Sequence, residues 1–304
     1  MISRAPSLEK CFGENWQNVM KNIRLVRGTP FEVPPQVNFM EQGPSGGAPV
    51  ILVHGLAASL HDWDFLLPEL AAAGYHAYAL DLLGHGESPK PDSRSYKTKW
   101  VYKHFVQWID ALQFPEPPIL IGHSLGGYMC LRYAIRNPEK IRALVLTSPF
   151  YKLDQLPALL RRTYRRPTLN AIVVERTPEW IFRWIIDLTN AALGRSGGSD
   201  LTLSDSVRFQ TALDYKRTAP GAFNIPNTVR DLTSDLPRVT KPTLVLWGDR
   251  DQTLAPISFP NLVRAMPNAR GQALSGGHVP HQSNPKEYNR LVLEFLHEVK
   301  SKKQ

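Results

Sequence analysis

The sequence predicts an α/β fold, a mostly parallel central sheet flanked by helices with a helical segment inserted into it. Two observations predict this. Short apolar runs alternate with amphipathic helical stretches, the pattern of strand–crossover–strand units. From about residue 150 to residue 232 that alternation stops, and there is little strand signal. The expected organisation is a core made of residues 1–149 and 233–304, with residues 150–232 as a helical insertion. A chain of 304 residues is long enough for one such core and its insert.

Taken in order, Val50–Val53 is the first clear strand. Asp62–Ala73 reads as a helix, with Gly74 in the usual place past a helix end. Tyr75–Leu80 is a strand that runs into Asp81 and a Gly84-His85-Gly86 loop. Val101, Phe105, Trp108, Ile109 and Leu112 then repeat at helical spacing until Pro115, Pro117 and Pro118 stop them. Ile119–Ile121 is a strand, Leu125–Arg136 a helix and Ala143–Thr147 a further strand. In the insertion, Thr177-Pro178-Glu179 combines a capping hydroxyl, a proline and an acid at a helix start. The helix it opens carries Trp180, Ile181, Trp184, Ile185 and Leu188 on one face, and Gly194–Asp200 reads as a loop. Thr243–Trp247, a short strand near Gln272–Leu274, and a last helix through Leu291, Val292, Phe295, Leu296 and Val299 complete the core.

Composition narrows the function classes. Hydrophobic residues are 42% and charged residues 21%, ordinary for a globular chain. No apolar run approaches the roughly 20 residues that a membrane-spanning helix needs. Arg4, Glu9, Lys10 and Glu14 interrupt the N-terminal stretch, so no secretory leader is expected. Two distant cysteines, Cys11 and Cys130, are not a disulfide framework, and a reducing, cytoplasmic setting fits best. The net charge of +9 predicts a basic surface. No zinc-finger, RRM-like or helix-turn-helix signature accompanies it, so no nucleic-acid partner is expected. No H-E-x-x-H pair, G-x-G-x-x-G turn or Walker-type loop occurs, and no metal or cofactor is expected.

The strongest local signal is Gly122-His123-Ser124-Leu125-Gly126-Gly127, lying between a strand and a helix. A serine that attacks a carbonyl needs an exposed position and a nearby base. A sharp strand-to-helix turn gives the exposure, and the flanking glycines let the strained backbone pass its neighbours closely. The turn also sets the backbone N–H of Leu125 at a helix N-terminus, where an oxyanion would be stabilised. His54-Gly55-Leu56 follows the strand ending at Val53, and the N–H of Leu56 is a second candidate oxyanion donor. Gly248-Asp249-Arg250-Asp251 follows a strand, so either aspartate sits at a strand's C-terminal end. Gly276-Gly277-His278-Val279-Pro280-His281 offers two histidines before the final helix.

With these motifs the chain resembles the α/β-hydrolase family, over most of Val50–Leu146 and Pro242–Leu296. The likeness extends through Asp81-Leu82-Leu83-Gly84-His85-Gly86-Glu87-Ser88. It implies that His54 and Asp81 are structural. It selects Asp251 as the acid of a triad, leaving Asp249 as the alternative and more readily a turn-forming acceptor. It selects His278 as the base over His281, which falls behind or at the rim of the site. Serine at the nucleophile position argues against the epoxide-hydrolase and haloalkane-dehalogenase branches, which use a carboxylate there.

The resemblance implies that residues 150–232 form a cap or lid over the site. Trp180 and Trp184 are candidate pocket residues on it. The basic cluster Arg161, Arg162, Arg165 and Arg166, together with the tryptophan helix, is a candidate contact for a membrane or lipid aggregate. The expected substrate is a small, moderately apolar ester, cleaved through Ser124, His278 and Asp251. The same residues also fit C–C bond, thioester or peroxidative chemistry, and a non-catalytic ligand-binding protein is the reading from another class.

Overall fold

The apolar runs pair into one sheet in the computed structural model, which describes residues 23–26, 36–91, 95–164, 167–197 and 202–301. The strands are β1 (Ile23–Val26), β2 (Val37–Gln42), β3 (Ala48–Val53), β4 (Tyr75–Leu80), β5 (Ile119–His123), β6 (Ala143–Thr147), β7 (Thr243–Gly248) and β8 (Ala269–Leu274). Their order across the sheet is β1-β2-β4-β3-β5-β6-β7-β8. The first two pairings, β1 with β2 and β2 with β4, are antiparallel, and all the others are parallel.

The central strands are mostly apolar because both faces of the sheet are covered. Along β3 the side chains alternate: Ile51 and Val53 join one core, Val50 and Leu52 the other. Helices α2 (Thr98–Leu112) and α3 (Leu125–Arg136) pack on the first face through Phe105, Trp108 and Tyr133. Helix α1 (Leu67–Ala72) and the last helix, α10 (Pro285–Ser301), cover the second through Leu67, Leu70, Val292 and Phe295.

Between β6 and β7 the described residues contain no strand. That segment holds α4 (Ala158–Tyr164), α5 (Pro167–Arg176), α6 (Glu179–Gly197) and α7 (Asp205–Arg217). Helix α8 (Ser258–Ala265) joins β7 to β8, and the short α9 (Pro280–Ser283) precedes α10. No helix among the described residues is long and apolar enough to cross a membrane.

Several elements differ from expectation. β1 and β2 are not among the expected strands; β2 buries Val37, Phe39 and Met40, but its apolar run is interrupted by Asn38, which is buried through hydrogen bonds with Asp81 and Ser88. The expected helix Asp62–Ala73 is two pieces, a 3-10 turn at Leu60–Trp63 and α1, which restarts with Pro68 in its first turn. Gly194–Gly197, expected in a loop, end α6. Arg165, Arg166, Cys11 and the N-terminal stretch lie outside the described residues.

Candidate active site

Ser124 sits where β5 ends and α3 begins, with φ 50° and ψ −111°. That is a conformation costly for any residue with a Cβ, and neighbouring packing must hold it. Two glycines allow the approach. A Cβ on Gly126 would lie 2.0 Å from the carbonyl oxygen of Val53, and one on Gly122 would lie 2.6 Å from that of Gly126. The Ser124 N–H donates to the Thr147 carbonyl at 2.9 Å, and its own carbonyl accepts from Phe150 at 3.0 Å. The turn is thus tied to β6 and to the start of the insertion.

His278 lies in the loop after β8 and reaches the serine, its Nε2 3.0 Å from Ser124 Oγ. On the other side its Nδ1 is 2.7 Å from Asp251 Oδ2. A carboxylate only accepts, so Nδ1 carries the proton and Nε2 is left to accept from the serine hydroxyl. Asp251 stands just past β7. Its second oxygen accepts the N–H groups of Thr253 and Leu254 at 2.8 and 2.9 Å. Burial alone would raise its pKa, but His278 and these two amides outweigh burial and hold it below the usual carboxylate range. Asp249 does not touch the histidine. It accepts the N–H of Gly276 at 3.1 Å and ties the β7 turn to the His278 loop.

Leu56 and Leu125 border the same cavity as Ser124 and His278. Leu125 is the first residue of α3, so its N–H has no acceptor within the helix. Leu56 follows β3, next to Ala57, whose φ of 58° turns the loop sharply.

Beneath Ser124, His278 and Asp251 lies a buried group that sequence reasoning did not find. Asp62 Oδ2 accepts the Gly55 N–H at 3.2 Å and lies 2.9 Å from His123 Nδ1. Its Oδ1 accepts from Gln282 Nε2 at 3.2 Å. His123 Nε2 lies 3.2 Å from the His278 carbonyl. Burial pushes the His123 imidazole down to about 4 despite the pull of Asp62, and because the carboxylate facing Nδ1 can only accept, Nδ1 carries a proton. Asp62 is pushed up by burial, yet its partners outweigh this and hold it well below the usual range. His281, only 2% exposed, stacks on His123 at 4.6 Å and stands 3.8 Å from Asp62, beyond hydrogen-bond length. Ligand-type atoms of Asp62, His123 and His281 fall within 4.8 Å of one another. The oxygens of Asp62 already accept from a backbone amide and two side chains, and a cation would have to displace those bonds. His281 is therefore a buried packing residue behind the site. No short motif marks this group; only the folded loops bring Asp62 to His123.

His54 and Asp81 hold loops in place. His54 Nε2 accepts the Leu82 N–H at 2.9 Å. Asp81 accepts the N–H groups of Leu60 and Glu87 at 2.7 and 2.8 Å, which fixes the loops after β3 and β4.

A cavity of about 430 Å³ opens above Ser124. Core loops form its floor and the insertion forms much of its wall, through Phe150, Leu156, Phe182, Ile186, Tyr215 and Phe223. Asp214 of α7 also borders it, accepting from Ser59 Oγ at 3.0 Å and from Gln210 Nε2 at 2.9 Å. Burial pushes its pKa up to about 7, against the opposing pull of His61 and these two donors. The expected pocket residues Trp180 and Trp184 are not on this wall. They point outward, 69% and 60% exposed. At 3.6 residues per turn they fall on the side of α6 opposite Phe182 and Ile186, which do line the cavity.

Comparison with known proteins agrees with this architecture. The family model described as alpha/beta hydrolase fold matches residues 48–285. The chain is 25% identical over 298 residues to bifunctional epoxide hydrolase 2 of Mus musculus, covering 86% of this chain but only 53% of that protein. It therefore spans about half the length of that relative. It is 27% identical over 281 residues to 2-hydroxy-6-oxononadienedioate/2-hydroxy-6-oxononatrienedioate hydrolase of Paraburkholderia xenovorans (strain LB400), covering 86% of this chain and 90% of that one. Among solved structures, a thermophilic esterase from Thermogutta terrifontis matches with a TM-score of 0.74 at 22% identity, covering 91% of this chain and 99% of that one.

Proposed function

Because the chain belongs to the α/β-hydrolase fold family, we propose that it is a serine hydrolase that cleaves small, moderately apolar carboxylic esters through an acyl-enzyme. The observation that carries this reading is the hydrogen-bond chain Ser124–His278–Asp251, at 3.0 and 2.7 Å, on the floor of a largely apolar cavity.

The chemistry follows from the protonation states. As Ser124 Oγ attacks the acyl carbon, His278 Nε2 takes its proton. Asp251, ionised and already satisfied by two amides, keeps the imidazole in the right tautomer and stabilises its cation. The carbonyl oxygen becomes an oxyanion held by the N–H groups of Leu56 and Leu125, each worth on the order of 3 kcal/mol to the transition state. The bond from the acyl carbon to the alcohol oxygen then breaks, and the alcohol leaves with the proton from His278. Water, activated by the same Nε2, adds to the acyl carbon and releases the acid. The insertion acts as the cap, and its aromatic wall selects an apolar acyl or alcohol group. Among the described residues Cys130 is a buried free thiol, which fits a reducing, cytoplasmic setting.

Several relatives are named epoxide hydrolases, and one is named a haloalkane dehalogenase. Ser124 argues against that chemistry here. Attack on an epoxide or alkyl carbon by a serine oxygen would leave an ether, with no carbonyl for water to attack. An ester substrate leaves an acyl-enzyme that hydrolysis can release. The test is a panel of p-nitrophenyl esters of increasing acyl length, run beside an aryl epoxide. Turnover of the esters with a chain-length optimum is expected, and none of the epoxide. Epoxide turnover with inert esters would overturn the proposal.

A further inference from the structure

Helix α6 is apolar on two sides. Its inner side, through Phe182 and Ile186, lines the cavity. On its outer side Trp180, Trp184 and Leu188 are 69%, 60% and 51% exposed, and Ile185, 48% exposed, stands at the edge between that side and the cavity it also borders. One exposed apolar residue means little, but Trp180, Trp184 and Leu188 follow the spacing i, i+4, i+8 and form a continuous stripe, with Ile185 at its edge. The helix also carries Glu179, Arg183 and Asp187, so it is built to lie on an apolar boundary rather than to cross one. Tryptophan suits that boundary: its ring is large and apolar, and its one N–H stays at the wet edge.

The charge around the stripe selects the occupant. Residues 150–197 hold eight basic side chains against four acidic ones, with Arg161 paired to Asp154 and Arg183 paired to Asp187 and Asp205. Arg162 of α4 and Arg176 of α5 are exposed. Apposing a second copy of this chain, with its net charge of +9, would bring like charges together, whereas an anionic surface would be attracted. We propose that the outer face of α6 docks the protein on an anionic lipid surface, with Trp180 and Trp184 at headgroup depth. The same helix walls the cavity, so docking sets the substrate pocket about one helix diameter, ~10 Å, from the lipid boundary.

Vesicle co-sedimentation tests this without reference to catalysis, so its outcome is separate from that of the hydrolase reading. The probes are vesicles of phosphatidylcholine alone and of equimolar phosphatidylcholine and phosphatidylglycerol, at low and high salt. The wild type is expected to bind the anionic vesicles, to be released by salt, and to show a blue shift of tryptophan emission. The double variant Trp180→Ala/Trp184→Ala should lose binding by about tenfold or more while keeping the wild-type melting temperature, since neither ring packs in the core. Absence of wild-type binding at low salt overturns the proposal. So does wild-type-like binding by the double variant. A concentration-dependent dimer that the double variant abolishes, with no vesicle binding, assigns the stripe to a second copy and equally overturns it.

Discussion

Asp62 is the residue through which three parts of the site are joined. It accepts the amide of Gly55, next to the oxyanion candidate Leu56. It also holds the ring of His123, next to Ser124, and is reached by Gln282, four residues after His278. Removing its carboxylate frees the Gly55–Leu56 peptide to rotate while leaving the Ser124–His278–Asp251 chain intact. Asp62→Ala should therefore lower kcat by about tenfold to a hundredfold with a smaller effect on KM, less than loss of an oxyanion donor itself. Steady-state kinetics on a soluble ester checks the split; an unchanged kcat would remove Asp62 from this role. Asp251→Asn acts on the tautomer instead. An amide can donate to Nδ1, leaving Nε2 protonated and unable to accept from Ser124, and kcat should fall by about 10³–10⁴-fold. At this scale Ser124 was legible because its glycine-bearing motif lies between a strand and a helix, whereas the motifs narrowed the acid to Asp249 or Asp251 and the base to His278 or His281, and the family resemblance made the selection. Asp62 and His123 were not, since their pairing spans 61 positions and exists only once the loops fold.

At the scale of the elements, the strand-to-helix turn depends on close backbone approach. In Gly126→Ala the new methyl would meet the Val53 carbonyl oxygen at 2.0 Å, separating α3 from β3. A loss of about 3 kcal/mol in chemical denaturation is expected, with slower turnover because Ser124 and Leu125 shift together. Helix α7 carries a pH-sensitive contact. Asp214 ties it to Ser59 in the loop after β3, and burial pushes its pKa from 3.8 up to about 7. The folded chain thus keeps a proton that the unfolded chain releases above about pH 4. Its stabilising contribution is complete below that point, declines as pH rises, and is lost once pH passes about 7. Asp214→Asn keeps a neutral group there at every pH, so its melting temperature should gain on wild type between about pH 5 and pH 8. A constant difference across that range would contradict the assignment. Elements with strong apolar periodicity, such as α2, α3, β5 and β6, were legible in the sequence. β2 was hidden because Asn38 is buried by hydrogen bonding, and the helix expected over Asp62–Ala73 is broken where Asp62 is drawn toward Gly55 and His123.

Across the whole molecule, sheet order converts distant motifs into neighbours. β3, β5, β6, β7 and β8 lie side by side and parallel, so the segments leaving their C-terminal ends converge. Leu56 follows β3, Ser124 follows β5, Asp251 follows β7 and His278 follows β8. Ligands of open parallel sheets gather at this end. The insertion completes the cavity from the other side, and here the sequence conveyed the apolar character of α6 but not which face turns inward. That choice is made by packing against α7 and the core, and it put Phe182 and Ile186, not the tryptophans, on the cavity wall. The central claim is that this convergence makes Ser124 a nucleophile, and the most direct measurement is labelling with a fluorophosphonate followed by peptide mapping. One adduct is predicted, on the peptide containing Ser124, absent in Ser124→Ala and slowed by orders of magnitude in His278→Ala. An adduct on another residue, or equal labelling of Ser124→Ala, would contradict it.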